Sequence, residues 1–322
     1  MTSDANFAAA IAALAPRLDP AAIGVSGLRR LSGGATQEIW RFELGDKPLI
    51  LRRAPGGDRV GNTGVGLEVE AQLIEAAGRA GVPVPRVALV LEPGDNLGHG
   101  FIMDCVEGET LGGRIVKQEA AAPVGLARQC GEVLARIHAV DPAEFPTLDR
   151  LTPAGLVEQW RILYRNTGWP RPVFEMAFVW LGARCPPAPE QPRLVHGDFR
   201  NGNLMIGPEG VRAVLDWELA HVGDPLEDLG WLCVNSWRFG AVDRPVGGFG
   251  QYAELFDGYR AGGGSVDPAA VRWWEVFGTL RWGVMCSGMT TSFRGADPTV
   301  ERAMIARRTS ETEIDLLRLL KD

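Results

Sequence analysis

The stretch LVHGDFRNGNLMIGPEGVRAVLDWE, Leu194 to Glu218, gathers His196, two aspartates and two asparagines around a turn signal in a chain otherwise rich in aliphatics. GPEG carries proline in its second position, and the short apolar runs Asn203–Gly207 and Val211–Asp216 flank it, which predicts a β-hairpin. The outer ends of a hairpin meet, so the spacing predicts Asn203 and Asp216 at one open end, within reach of a single ion. An amide oxygen beside a carboxylate is a hard donor pair. It suits magnesium, which takes one or two protein carboxylates and completes its octahedron with phosphate and water. Asp198 lies on the loop entering the hairpin, where a carboxylate can orient a substrate hydroxyl and accept its proton. Arg200 stands between them, and a guanidinium there would offset charge on a transferring phosphoryl group.

Length and composition frame this site. A chain of 322 residues exceeds the usual single core and predicts two lobes. With 46% hydrophobic and 23% charged residues it has the balance of a folded protein. A net charge of -7 argues against a broad footprint on nucleic acid or anionic membrane, which would need clustered lysine and arginine. No apolar run approaches a membrane helix, and the start MTSDANFAAAIAALA has an early Asp4 and no basic leader, so a cytoplasmic protein is expected. The five cysteines are scattered without a CxxC pair, which points to reduced thiols. His99, His138 and His221 show no spacing that would complete a metallohydrolase site with His196 and Asp198.

Before the hairpin, residues 4–15 predict a short amphipathic helix. LRRLS, EIWRFEL and PLILRR, separated by the turns GGATQ and GDK, predict a three-stranded meander. The glycine-rich stretch APGGDRVGNTGVG leads to GLEVEAQLIEAAGRAG, a helix ended near Gly81 and Pro83. RVALVLE and FIMDCVEG follow as apolar runs. From Ala122 the period becomes helical, so the boundary is expected at residues 104–108, with one lobe over 1–105 and the other over 106–322. Asp141 to Pro192, rich in proline, is expected to be an irregular insertion mixed with helix, and MIARRTSETEIDLLRLL a closing amphipathic helix. Trp273, Trp274 and Trp282 read as core packing rather than a stacking surface, and Arg161, Arg165, Arg171, Arg238 and Arg281 mostly as surface charges, with one or two lining an acceptor pocket as the alternative.

A phosphate cradle is offered by LSGGATQEIW, where Ser32, Gly33 and Gly34 form a turn between strands whose N–H groups can approach anionic oxygens. A plain hairpin turn explains the same residues equally well. The turn matches neither a P-loop nor a GxGxxG between strand and helix.

His196-x-Asp198-x4-Asn203 followed by the strand-terminal Asp216 resembles the catalytic loop and metal segment of the protein-kinase-like aminoglycoside phosphotransferase family. The resemblance implies an α+β, bilobal protein-kinase-like fold, with a small antiparallel-sheet lobe before a larger helical one. It makes Asp198 the catalytic base, Asn203 and Asp216 the magnesium ligands, and His196 a brace for the loop. Asp228, in GDPLEDLGWL, would anchor the loop backbone from the next helix. Arg52 falls where kinases carry the phosphate-contacting lysine, strand alternation sending Arg53 to the opposite face. Glu70 is its expected ion-pair partner, with Glu68 as the alternative, and adenine is expected on the backbone of Asp104 and Val106. The implied activity is ATP- and Mg2+-dependent transfer of the γ-phosphoryl group to a hydroxyl of a small molecule. VHGDFRNGNLM, AVLDWELAHVGDPLEDLGWL and LILRR look most similar to the branch related to the kinase domain fused to acyl-CoA dehydrogenases, which implies a hydroxyacyl-CoA or hydroxy-acid acceptor. An antibiotic kinase, less favoured for want of a clustered acidic C-terminus, and a nucleotide-binding pseudokinase without turnover stay open.

Overall fold

The structure is a computed structural model that describes residues 4–21, 24–33, 37–55, 64–117, 125–295 and 299–321. The chain divides into two compact units, Met1–Gly108 with Arg212–Leu219, and Glu109–Val211 with Ala220–Asp322.

The first unit opens with α1 (Asp4–Ala13) and α2 (Ala15–Leu18), then β1 (Val25–Gly33), β2 (Glu38–Leu44) and β3 (Lys47–Ala54). After α3 (Leu67–Arg79) come β4 (Val87–Val90) and β5 (His99–Asp104), giving an antiparallel sheet of order β1-β2-β3-β5-β4. The expected meander is its first half. Alternation on β2 and β3 turns Phe42, Leu44, Leu49 and Leu51 to one face, where Phe7 and Ile11 of α1 join them in a core. α3 buries Leu73, Ile74 and Ala77 and ends where Gly81 takes φ 79°, so that the Val82 N–H reaches the Ala77 carbonyl at 2.9 Å. Most of the glycine-rich stretch before α3, residues 56–63, lies outside the described residues.

The second unit holds α4 (Gly112–Lys117), α5 (Leu126–His138), α6 (Pro153–Asn166), α7 (Pro172–Ala183), β6 (Arg193–Val195) and β7 (Leu204–Gly207). β8 (Gly210–Val214) begins in this unit and runs into the first. β9 (His221–Gly223), α8 (Leu226–Cys233), α9 (Tyr252–Ala261), α10 (Pro268–Arg294), α11 (Val300–Ala306) and α12 (Thr309–Leu319) complete the described elements. β7 and β8 form the expected two-stranded ribbon around GPEG, and β6 pairs antiparallel with β9.

The proline-rich region mixes helix with irregular chain as expected, and one other expectation needs correction. Pro153 and Pro172 start α6 and α7, where a missing N–H costs nothing, and Thr152 caps α6 on the Gly155 N–H. Leu156, Val157, Phe174 and Phe178 of these helices pack with Trp273, Trp274 and Phe277 of the 27-residue α10 in one hydrophobic core. The closing segment is two helices, broken at Arg307 and Arg308, with the Thr309 hydroxyl donating to the Ala306 carbonyl at 2.7 Å. Elsewhere α5 and α9 cross closely through glycines: a Cβ on Gly131 would strike the Leu255 carbonyl, and one on Gly258 the Arg128 carbonyl.

Candidate active site

The loop between β6 and β7 carries His196, Asp198, Arg200 and Asn203. Gly197 at φ 79° and Gly202 at φ 120° supply the left-handed turns that fold it back on itself. Its anchor is Asp228, fully buried on α8, whose carboxylate accepts the N–H groups of His196 at 2.8 Å and Gly197 at 2.9 Å. His138 of α5 bonds the same carboxylate at 3.1 Å through Nε2, and its Nδ1 meets the Tyr259 hydroxyl at 2.8 Å. Burial pushes the Asp228 pKa upward, but these partners outweigh it and hold the carboxyl below its ordinary value. His196 in turn accepts the Asp198 N–H on Nδ1 at 3.2 Å, and the Asn201 amide donates to the Gly247 carbonyl at 2.8 Å.

Three donors converge on the Asp198 carboxylate. Asn203 Nδ2 reaches Oδ2 at 2.6 Å and the Asp198 carbonyl at 3.0 Å, while Arg200 Nε reaches Oδ1 at 3.0 Å. The third is the indole N–H of Trp231, at 2.8 Å from Oδ1, which the sequence reading missed. A signal existed: Trp231 follows Asp228 by one turn of α8, so both lie on one helix face. The Arg200 guanidinium also lies 4.7 Å from the Trp237 ring centroid.

In the first unit Arg52 is almost buried on β3. Its Nε stands 3.3 Å from Glu70 Oε2 on α3, and its Nη2 reaches Asp216 Oδ1 at 2.8 Å and Glu218 Oε2 at 3.6 Å. Burial opposes the charge on Arg52, yet the three carboxylates carry its pKa above the ordinary value. Glu70 is only 1% exposed, and although its other oxygen accepts the Trp217 N–H at 3.3 Å, neither Arg52 Nε nor Glu70 Oε2 makes a hydrogen bond. Burial therefore pushes the Glu70 pKa up to about 7 against the pull of Arg52. Glu68 turns instead to His99, at 2.6 Å. Arg53 faces away, bonded to Glu38 at 2.8 Å and stacked 4.0 Å from the Phe7 ring centroid. Asp216 has φ 67°, a left-handed backbone that aspartate tolerates better than most residues.

Ser32 and Gly33 end β1, paired with Ile39 and Glu38, and Gly34 lies outside the described residues. Asp104 ends β5 with its side chain bound to Lys47 at 2.8 Å and Arg86 at 3.2 Å; burial acts upward, but these cations lower its pKa. Val106 follows in a half-buried irregular stretch.

Among the arginines expected mostly at the surface, Arg281 is buried and Arg238 half-buried, each in an ion pair. Arg238 meets Glu275 at 2.8 Å, and Arg281 meets Glu227 at 3.1 Å, the latter carboxylate also contacting His221 at 3.2 Å. Among the described residues no group of three or more His, Cys, Asp or Glu side chains could hold a metal, and no helix is long and apolar enough to cross a membrane. The described cysteines form no disulfide.

Residues 27–265 match the family model of the phosphotransferase enzyme family. Acyl-CoA dehydrogenase family member 10 of Mus musculus is 32% identical over 225 residues, which is 66% of this chain but 20% of the relative. Family member 11 of Gallus gallus is 28% identical over 221 residues, 65% of this chain and 28% of the relative. The matched region thus spans between a fifth and a third of these two proteins. Among solved structures, a Ralstonia eutropha protein provisionally described as an aminoglycoside phosphotransferase superposes with TM-score 0.77 at 19% identity, covering 98% of this chain and 97% of that one. A thermostable mutant of aminoglycoside phosphotransferase APH(4)-Ia, in ternary complex with AMP-PNP and hygromycin B, gives 0.65 at 18% identity over 96% and 99%. Macrolide 2'-phosphotransferase MphH from Brachybacterium faecium gives 0.60 at 20% over 93% and 97%. These likenesses establish the α+β, protein-kinase-like fold.

Proposed function

The chain belongs to the phosphotransferase enzyme family, and from that membership we propose that it transfers the γ-phosphoryl group of ATP, with magnesium, to a hydroxyl of a small molecule. The observation that carries this reading is the fixed grouping of Asp198, Arg200 and Asn203 on a loop whose backbone is clamped by Asp228. Asp198 orients the acceptor hydroxyl and takes its proton as the oxygen attacks phosphorus. Arg200 turns from Asp198 to the transferring phosphoryl oxygens, and Arg52 offsets charge on the remaining phosphates. Residues 1–105 bind the nucleotide, with Ser32, Gly33 and Gly34 near phosphate and the backbone of Asp104 and Val106 at the adenine. Residues 106–322 supply the loop and the acceptor site.

The donor chemistry fits magnesium. The Asn203 nitrogen is committed to Asp198, which leaves the amide oxygen as a hard donor, and Asp216 adds a carboxylate that is 32% exposed. Asn203 and Asp216 would hold the ion, whose chemistry would be to neutralise phosphate charge. As acceptor we propose a hydroxyacyl-CoA or hydroxy acid. The support is the 32% identity to a protein named for acyl-CoA dehydrogenation.

The test is magnesium-dependent ATP consumption with pooled hydroxylated metabolites, CoA thioesters included, read by mass spectrometry for a product heavier by one phosphoryl unit. Wild type should give such a product, and Asp198→Ala and Asp216→Ala should lose turnover by about 100-fold or more. One observation favours a second reading, a nucleotide-binding module without turnover: Arg52 is paired directly with Asp216, occupying both. Nucleotide binding with no acceptor-dependent product would select that reading.

A further inference from the structure

Trp231 is used by nothing in the proposed chemistry, yet it makes the only single-purpose contact to Asp198 among the described donors. Arg200 and Asn203 each have a second task, phosphate for one and magnesium for the other. An indole N–H can only donate. It stays on Oδ1 whatever the other two partners do.

The indole is held from both sides. Trp231 is 3% exposed, with the Arg281 guanidinium 4.6 Å from its ring centroid and the Trp237 ring 5.2 Å away. Arg281 is fixed by Glu227 at 3.1 Å and lies 5.6 Å from the Trp160 ring centroid. Trp237 lies under Arg200 at 4.7 Å and against Trp282 at 5.0 Å. Trp160, Arg281, Trp231, Trp237 and Arg200 thus form a chain of cation–ring contacts joined by a tilted Trp231–Trp237 pair, with planes 58° apart, and Asp198 is bonded by two of its members. A residue needed only for packing would not require its polar edge aimed at a carboxylate at 2.8 Å.

We propose that Trp231 is the positioning residue of the acceptor-activating carboxylate, locking the Asp198 rotamer while Arg200 and Asn203 serve phosphate and metal. The proposal rests on the kinase reading above for its catalytic consequence, but the hydrogen bond itself is testable without turnover. Trp231→Phe keeps the ring stack and removes the N–H. A hydrogen bond to a charged group contributes enough that kcat for magnesium-dependent ATP turnover, with water as the acceptor probe, should fall about ten- to a hundredfold. KM for ATP should stay within about twofold, because the indole N–H is taken up by Asp198. Trp169→Phe, altering an exposed ring, serves as the control and should leave kcat unchanged.

The second measurement is the 1H–15N spectrum of the ligand-free protein, in which the ten tryptophans give indole N–H signals. One slowly exchanging indole signal should move, and exchange faster, in Asp198→Ala, and the same signal should be absent from Trp231→Phe. If no indole signal responds to Asp198→Ala, or if Trp231→Phe folds and retains kcat within about twofold, the proposal is overturned. Should Trp231→Phe fail to fold, the response of the wild-type spectrum to Asp198→Ala still decides whether the bond exists. If instead wild type and Asp198→Ala consume ATP equally slowly while the indole signal responds as expected, the kinase reading fails and the positioning contact stands.

Discussion

Replacing Asp228 by asparagine should destabilise the protein far more than a change of one atom suggests. The carboxylate accepts two N–H groups on Oδ2, from His196 and His138, and one on Oδ1, from Gly197. An asparagine has a single acceptor oxygen. Placed at the Oδ2 position it keeps two bonds but turns its NH2 onto the Gly197 N–H, so two donors face each other in a site that is 0% exposed. The lost charge-assisted bond is worth about 1.5–3 kcal/mol, and the unpaired donor adds about 1–3 kcal/mol. The two surviving bonds also weaken, because a neutral acceptor makes roughly half the interaction of an ionised one. Together these make a loss of about 3–6 kcal/mol. Urea unfolding at pH 7, followed by far-UV circular dichroism, should show the midpoint falling by about 1 M or more, with little change in slope. A midpoint within about 0.2 M of wild type would mean that the clamp holds nothing together, and the account of how the loop is anchored would be wrong.

Glu70 should make stability fall as pH rises. Its folded pKa, about 7, lies above the ordinary 4.5, so its contribution is fully present below the unfolded pKa and lost as pH climbs through 7. The difference amounts to about 3 kcal/mol, so the urea midpoint of Glu70→Gln should fall less between pH 5 and pH 8 than that of wild type; parallel pH dependences would contradict this. Arg281→Leu should cost about 3–5 kcal/mol by leaving Glu227 buried without its cation, and the double variant Arg281→Leu/Glu227→Leu should recover part of the loss in thermal unfolding. Gly258→Ala should lower the melting temperature by several degrees, because its methyl group would meet the Arg128 carbonyl across the α5–α9 crossing. Ser or Ala at the open Gly182 should not.

Much of the architecture was legible because local signals and tertiary demands agree. GPEG, GDK and the alternating runs beside them are turn and strand chemistry that needs no distant partner, and the β2–β3 pairing follows from it. The misreadings have physical causes. The bounds of α6 and α7 were not legible within the proline-rich stretch, because they depend on Thr152 and Arg171 acting as non-helical caps before a first-turn proline. The break at Arg307 and Arg308 carries no glycine or proline to announce it. In the candidate site, spacing located the loop that holds Asp198, Arg200 and Asn203 and the helix that holds Asp228. It could put Trp231 on the helix face of Asp228 but not aim its N–H, because tryptophan usually serves a core by its area and only coordinates show where the indole points. Nor could it separate Arg238 and Arg281 from surface arginines, since burial of a guanidinium depends on partners many residues away.

The charge around Arg52 bears on why a cation belongs there. The resemblance expects a lysine at this place, but one ammonium could not stand 3.3 Å from Glu70 through one nitrogen and 2.8 Å from Asp216 through another. The arginine fork does both, and Glu218, two residues beyond Asp216, approaches the same nitrogen at 3.6 Å. One guanidinium therefore faces three carboxylates. Burial, and then the repulsion of Asp216 and Glu218 against the pull of Arg52, leave Glu70 with its raised pKa, so the cluster holds more negative charge than its single cation can balance. Asp216 and Glu218 are the two partly exposed members, at 32% and 35%, and are the ones an incoming cation can reach. Under the proposed reading Asp216 would help hold a divalent ion, which would supply positive charge against that surplus, and Arg52, then less tightly paired with Asp216, would be available to phosphate.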